Sequence, residues 1–323
     1  MWLTSSSVGR KFIMALTGAA LVLFVTFHCL MNSVALLWPA AYNAICEFLG
    51  ANWYALVASI GLAALFVIHI IYAFWLTIQN RKARGNDRYA VTARPKGVEW
   101  SSQNMLVLGI VVVVFLALHL YHFWYKMQFT EIAASGVNDW YQYQGAPVPP
   151  AAGTLFIQIA FSNIWTLVVY LIGFVALWFH MTHGFWSMFQ SIGWDNTVWI
   201  PRLKCIANWW TTIVIGLFAL QAVVFYVQAQ DNFYINDKAL EEQYIEQFMK
   251  HAQEEARQMD PAGEEIQQLQ ATFENFNKTF APTLVKEEEE RQKAAMQQYY
   301  QQQAAAAAAA QQANEENVEP TNE

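Results

Sequence analysis

The sequence predicts an all-α integral membrane protein, a five-transmembrane-helix bundle followed by a polar tail that is helical or disordered. The 323-residue chain is 56% hydrophobic and only 13% charged, which is too apolar for a soluble domain of this size. Five apolar runs lack Asp, Glu, Lys and Arg, and each is long enough to cross about 30 Å of hydrocarbon at about 1.5 Å per residue. The net charge changes from +5 over residues 1–230 to −12 over residues 231–323.

The five apolar runs define a membrane domain, residues 1–230. The first run follows Arg10 and Lys11, and it is too long for the apolar region of a signal peptide, so we count it as a span. The predicted spans are Phe12–Leu37, Trp53–Ile78, Gln103–Tyr125, Leu155–Trp186 and Cys205–Ala229.

The distribution of lysine and arginine predicts the orientation of the spans. Basic residues precede the first span and separate the second from the third and the fourth from the fifth, whereas loops 38–52 and 126–154 hold one lysine between them. Because cytoplasmic loops carry an excess of Lys and Arg, we expect the amino terminus inside and the carboxyl terminus outside. The cytoplasmic set is Arg10, Lys11, Arg81, Lys82, Arg84, Arg88, Arg94, Lys96, Arg202 and Lys204.

The tail, residues 231–323, is rich in Gln, Ala and Glu and becomes low-complexity sequence from Glu287 to Gln312. We expect it to bury little apolar surface and to form loose helices or disorder, without chemistry of its own. The net charge of the whole chain, −7, argues against a nucleic-acid partner. The three cysteines have no CxxC spacing, so neither a disulfide framework nor a zinc site is indicated.

Six of the seven histidines lie within the spans, where an unbound imidazole costs several kcal/mol. Counting about 1.5 Å per residue from the cytoplasmic ends, His28 and His119 fall in the outer half of the membrane, and His69 and His180 in the inner half. The two levels differ by about 10 Å. Four histidines on four spans therefore form two pairs at two depths.

Two imidazoles at one level on different helices provide the axial ligands of a six-coordinate b-type haem. We therefore predict an outer haem held by His28 and His119, and an inner haem held by His69 and His180. The doublets HLYH and HMTH leave His122 and His183 as alternatives to His119 and His180, since residues three apart share a helix face. His122 and His183 lie nearer the membrane surfaces, where a haem propionate, a quinone or water could bind them.

Two other classes of protein place histidines in membranes. A transporter or channel uses them as proton relays and contains no haem. A membrane di-iron oxygenase gathers its histidine boxes at one level, whereas the two doublets here lie on opposite sides of the membrane. The sequence also lacks an HxxHH motif, so one metal cluster cannot collect them.

Several segments resemble the five-helix, two-haem cytochrome b subunit of succinate:quinone oxidoreductases, meaning succinate dehydrogenase and fumarate reductase. They are SSVGRKFIMALTGAALVLFVTFHCLMN in span one, FLALHLYHFW in span three and FHMTHGFWSM in span four. The resemblance covers about residues 5–230, and its most specific parts are Thr17-Gly18, ten residues before His28, and FHxxxGxWS around His180. In that family the first and third spans ligate one haem and the second and fourth the other.

The resemblance implies a membrane-anchor subunit in the bacterial inner membrane that docks a flavoprotein subunit and an iron–sulfur subunit. It relays electrons between them and quinone, usually menaquinone, while the dicarboxylate chemistry belongs to the partners. The family's quinone site lies near the outer haem and uses an acidic residue after the first span, here Glu47. Some relatives carry a glutamate two residues before the fourth-span ligand, but Trp178 stands there in this chain. The alternative is the cytochrome b subunit of a membrane hydrogenase or formate dehydrogenase.

Overall fold

The computed structural model describes residues 6–50, 52–84, 99–261 and 263–316, and the predicted fold class is confirmed over these ranges. Within them, five helices are long and apolar enough to cross a membrane. In chain order the α-helices are α1 (Ser7–Leu37), α2 (Pro39–Phe48), α3 (Trp53–Arg84), α4 (Trp100–Leu120), α5 (Thr130–Ala133), α6 (Gly153–Phe161), α7 (Ile164–Ser191), α8 (Trp199–Gln230), α9 (Lys238–Ala256), α10 (Glu264–Phe280) and α11 (Pro282–Glu316). Of the basic residues predicted to be cytoplasmic, Arg88, Arg94 and Lys96 lie outside the described residues.

Neighbouring spans run antiparallel, so the bundle has two chemically different ends. At one end, the start of α4 meets α7 and α8 through contacts of Glu99 with His183 and Lys204. We call this the open end. At the other end, α2, α6, α9 and α10 pack together over the bundle. This is the capped end, and it contains both of the loops predicted to lie outside.

The first span begins and ends at recognisable local signals. The Ser6 hydroxyl accepts a hydrogen bond from the Gly9 backbone N–H at 2.9 Å, which caps α1. α1 ends at Leu37 because Pro39 disfavours the helical conformation at Trp38. Pro39 then occupies the first turn of α2, where its missing N–H costs nothing.

The fourth predicted span, Leu155–Trp186, is wrong at its start. The chain forms the short buried helix α6, breaks at residues 162–163 and begins the span at Ile164. Asn163 causes the break, since its side-chain oxygen accepts a hydrogen bond from the Trp165 N–H at 2.9 Å and caps α7. A Ser-Asn pair inside an apolar run was the available signal for this boundary.

The third span extends further than predicted. Helix α4 continues as a nine-residue π-helix, Tyr121–Phe129, and then as α5, so the first part of the predicted 126–154 loop is helical. The rings of Tyr121 and Tyr125 stack at 6.0 Å, and those of Tyr125 and Phe129 at 5.2 Å. This column of aromatic rings lies along one face of the π-helix.

The expectation of a loosely packed tail is wrong for residues 234–281. Helices α9 and α10 belong to the main hydrophobic core, which they share with the capped end of the bundle. Their apolar positions recur every three or four residues, the pattern of a helix with one buried face. Tail side chains that are completely buried include Tyr234, Tyr244, Phe248, Phe276 and Phe280.

A two-stranded hairpin, β1 (Gln142–Tyr143) and β2 (Ala146–Pro147), connects the π-helix side of the cap to α10. Its two-residue turn places Gln144 and Gly145 at φ of 52° and 80°, as a tight hairpin turn requires. The Asn275 side chain donates to the Gly145 carbonyl at 2.7 Å. The tail therefore clamps the loop that follows the third span.

Candidate functional site

His28 and His119 face each other near the capped end of the bundle. They lie on α1 and α4, 91 residues apart in sequence, and their ring centroids are 5.7 Å apart with planes at 83°. Aromatic rings surround them, with Phe24 at 5.4 Å from His28 and Phe123 at 5.3 Å from His119. We call this the outer pair, and its members are the two residues predicted to hold the outer haem.

His69 and His180 form a second pair nearer the open end, which we call the inner pair. They lie on α3 and α7, and their ring centroids are 6.3 Å apart with planes at 68°. The structure thus brings together the same two pairs that depth along the spans predicted. Their role as ligands stays a prediction.

The spacing within both pairs suits a single transition-metal ion between the rings. Since a bond from an imidazole nitrogen to such an ion is about 2 Å and the ring centre lies about 1 Å further, two rings on one ion have centroids roughly 6 Å apart. Among the described residues, no group of three or more His, Cys, Asp or Glu converges on a common point. A ligand that supplies the remaining metal bonds itself, as a porphyrin does, fits such two-histidine sites.

The surroundings of the inner pair favour metal ligation. The Thr17 hydroxyl lies 3.1 Å from His69 Nδ1 and also reaches the Ile13 carbonyl at 2.9 Å. If Thr17 donates to that carbonyl, His69 Nδ1–H donates to Thr17, and Nε2 is left with a free lone pair. His180 Nδ1 is buried without a hydrogen-bond partner in the described part of the chain. A histidine in this state fits a bound group that would satisfy it.

Small residues bring neighbouring backbones close to the inner pair. A Cβ built on Gly18 would lie 3.6 Å from His69 Cε1, and one built on Gly109 would lie 3.7 Å from His180 Cε1. These glycines let α1 and α4 pack directly against the imidazoles. None of the four paired histidines is fully buried, so protein atoms do not enclose either pair completely.

The two alternative ligands occupy different surroundings. His122 stacks on Tyr170 at 5.9 Å with an angle of 9°, and the Tyr170 hydroxyl lies 3.2 Å from His122 Nδ1. The same hydroxyl is 3.5 Å from His119 Nδ1, a longer contact. His122 therefore lies beside the outer pair, while His119 is the residue opposite His28.

His183 faces the open end of the bundle. Its Nδ1 lies 3.2 Å from the Glu99 carboxylate, which also accepts from Lys204 Nζ at 2.7 Å. Burial acts to raise the pKa of Glu99, but the hydrogen bonds from Lys204 and His183 together outweigh it, so the pKa lies below its ordinary value. Sequence reasoning missed Glu99, which stands isolated before the third span.

A hydrogen-bonded chain links the outer pair to α2. The Asn32 amide donates to the His28 carbonyl at 2.8 Å, and its oxygen accepts from the Tyr42 hydroxyl at 3.1 Å. Glu47 lies five residues further along α2. The predicted quinone-site residue is therefore on the helix that contacts the surroundings of the outer pair.

Glu47 lines a cleft of about 500 Å³ at the capped end. Its carboxylate accepts a hydrogen bond from Lys250 Nζ of α9 at 2.8 Å, and both side chains are partly exposed. This hydrogen bond, with the nearby carboxylate charges, raises the pKa of Lys250. The other lining residues are Ala44, Phe48, Asn52 and Glu131. Sequence reasoning missed Lys250 because nothing in the tail indicates that α9 folds back onto α2.

No match to this chain is found among protein-family models, curated proteins or solved structures. The firm assignment is thus an all-α protein with five helices compatible with crossing a membrane and two facing histidine pairs.

Proposed function

We propose that the chain is the membrane-anchor cytochrome b subunit of a succinate:quinone oxidoreductase, carrying two haem b groups. The observation that carries the proposal is that two histidines face each other in the outer pair and two in the inner pair, on four different spans. Their ring centroids are 5.7 and 6.3 Å apart, respectively. Within each pair, the two rings have the separation of two imidazoles bound to one metal ion. The sequence resemblance to the two-haem family names the reaction to which such sites belong.

Bound haem would supply one-electron transfer between the two ends of the bundle. The protein contributes the ligands and their orientation. His69 is held by Thr17, and His28 by its place in α1 beside Phe24 and Asn32. In a bilayer, the apolar helices together with lipid would exclude water from both pairs, which favours neutral imidazoles and the lone pairs that metal ligation requires.

The cleft around Glu47 supports a quinone site at the capped end. Its volume of about 500 Å³ lies within the usual range for small-molecule sites. Glu47 offers a carboxylate that can accept a proton from a hydroquinone hydroxyl, and Phe48 offers an apolar surface for the ring. We propose menaquinone as the substrate, with the proton leaving toward the capped side.

The open end is the proposed docking face for the iron–sulfur subunit, with the flavoprotein subunit beyond it. Its cations include Arg10, Lys11, Arg81, Lys82, Arg202 and Lys204. Lys204 is fixed by Glu99 and lies 4.2 Å from the centre of the Trp186 ring. Such a basic face suits the cytoplasmic side of a bacterial inner membrane. The dicarboxylate reaction takes place in the partner subunits.

A reduced-minus-oxidised visible spectrum of the purified protein tests this function, with His180→Ala and His183→Ala as matched variants. We expect the unmodified protein to show two b-type haems. His180→Ala should lose one of them because His69 then lacks its partner, whereas His183→Ala should keep both because His183 contacts Glu99.

A spectrum without any haem band in the unmodified protein would contradict the proposal and favour a histidine proton relay. Loss of haem from His183→Ala, with His180→Ala intact, would move the ligand role to His183.

A further inference from the structure

Lys126 is a cation with a largely buried side chain that the proposed electron path does not use, and its Nζ keeps a small exposed area. It lies in the π-helix at the capped end and is 6% exposed. Among the described residues it makes no hydrogen bond or ion pair, and its ammonium lies 4.0 Å from the Tyr141 ring centre and 5.1 Å from that of Tyr121. Ring faces recover only part of the cost of removing an ammonium from water.

Other lysines of this protein are satisfied differently. Lys204 and Lys250 pair with carboxylates at opposite ends of the bundle, and Lys238 and Lys278 form ion pairs at 2.7 and 2.6 Å. All four are more exposed than Lys126. The most buried of these cations is therefore the one without an anion.

The backbone around Lys126 is unusual as well. Residues Tyr121–Phe129 form a π-helix, a rare conformation that recurs at functional sites. His122 precedes Lys126 by four residues, so the two side chains lie near one another along this helix. His122 contacts Tyr170, which reaches His119 of the outer pair. Lys126 thus lies about one turn along this helix from His122, which borders the outer pair.

We propose that Lys126, with His122 beside it, binds an anionic oxygen of a ligand at the capped end. This inference rests on the proposed function and adds a binding site to it. The oxygen can come from two sources, the carboxylate of a haem propionate or the phenolate of a deprotonated hydroquinone. Either one supplies the negative charge that no described residue offers to Lys126. In this site a hydrogen bond between the two charged groups is strong.

The test compares Lys126→Met and Lys126→Arg with Lys278→Met, which removes an exposed lysine of the tail, all in the complete membrane complex. Two quantities are measured: the midpoint potential of the outer haem, identified by its loss in His28→Ala, and the affinity for 2-heptyl-4-hydroxyquinoline N-oxide, an anionic hydroquinone analogue. A propionate partner predicts that Lys126→Met lowers the midpoint potential, because a cation favours the more negative reduced haem. A hydroquinone partner predicts that inhibitor affinity falls by about tenfold.

Lys126→Arg should keep both quantities near the values of the unmodified protein. A fall in either quantity in Lys126→Met supports the site. A fall in inhibitor affinity identifies the hydroquinone, and a lower midpoint potential with unchanged inhibitor affinity identifies the propionate. If Lys126→Met behaves like Lys278→Met in both measurements, the inference is wrong. If both Lys126 variants lose the outer haem, charge is not the requirement and the inference also fails. Absence of haem from the unmodified protein would instead refute the proposed function.

Discussion

At the scale of single residues, Glu47 is held beside its cleft by Lys250, a residue of the tail. The two form an ion pair at 2.8 Å with both side chains partly exposed, so the pair contributes little to stability. The ion pair instead fixes the position of the Glu47 carboxylate, which lies at the cleft that Glu131 also lines. Glu47 is therefore available for proton transfer, and its replacement can be tested without unfolding the protein.

We expect Glu47→Gln to lower quinol turnover by about 10²-fold or more, the range for loss of a general base, while both haem spectra stay intact. Steady-state oxidation of a menaquinol analogue measures this. Glu246→Gln is the matched control, since Glu246 is an exposed carboxylate one turn before Lys250 on the same helix. Equal turnover in the two variants would remove Glu47 from the quinone site.

The residues that sequence alone could predict were those with a strong local reason to be noticed. Histidines in apolar helices stand out, and counting along the spans was enough to pair His28 with His119 and His69 with His180. Tyr170, Glu99 and Lys126 could not be predicted in this way, because their surroundings come from distant parts of the chain. Tyr170 gave no signal, since a lone tyrosine in a span is an ordinary core residue.

At the scale of elements, the five spans were predictable because a long apolar run has few structures available in a bilayer. The packing of the tail was not predictable from composition, because its many glutamines and glutamates hide a narrow stripe of apolar residues. The stripe is present in the sequence, with Leu240, Tyr244 and Phe248 at spacings of four. A reading by periodicity would have found α9, but its packing partners on α2 and α6 depend on the tertiary fold.

The boundary between the folded and exposed parts of the tail lies in α11. The fully buried Glu241 accepts hydrogen bonds from the Thr283 and Leu284 N–H groups at 3.0 and 2.9 Å, so it caps the start of that helix. From residue 288 to 306 the side chains are exposed. The cap therefore ends shortly after Leu284.

We predict that a chain ending at Glu290 keeps the thermal stability of the full protein, whereas one ending at Gln230 loses about 10 °C or more in unfolding midpoint. The shorter chain uncovers buried groups of the capped end, including Thr154, which contacts the Tyr244 hydroxyl at 2.7 Å. A thermal scan of detergent-solubilised protein measures both. Similar midpoints for the two truncations would show that α9 and α10 contribute little to the fold.

At the scale of the whole molecule, the two ends differ in charge, and the described helices of the tail pack over only one of them. The open end carries cations, with Arg10 lying 5.5 Å from the Trp75 ring centre and Arg202 the same distance from that of Trp199. The capped end carries the acidic tail. Under the proposed function, the quinone cleft lies at the capped end and the docking face at the open end, so the orientation of the chain decides on which side the quinone proton is released.

The orientation can be measured by cysteine labelling in a Cys205→Ser background. Burial, opposed by hydrogen bonds from Tyr42 and Gly153, raises the pKa of Cys46 to about 12, so this thiol stays protonated and unreactive at neutral pH. Cys29 is buried in α1. We expect Gln297→Cys, exposed in α11, to react with a membrane-impermeant maleimide in intact spheroplasts, and Asp195→Cys, exposed at the open end, to react only after permeabilisation. The reverse pattern would place the cleft of Glu47 in the cytoplasm and reverse the direction of proton release.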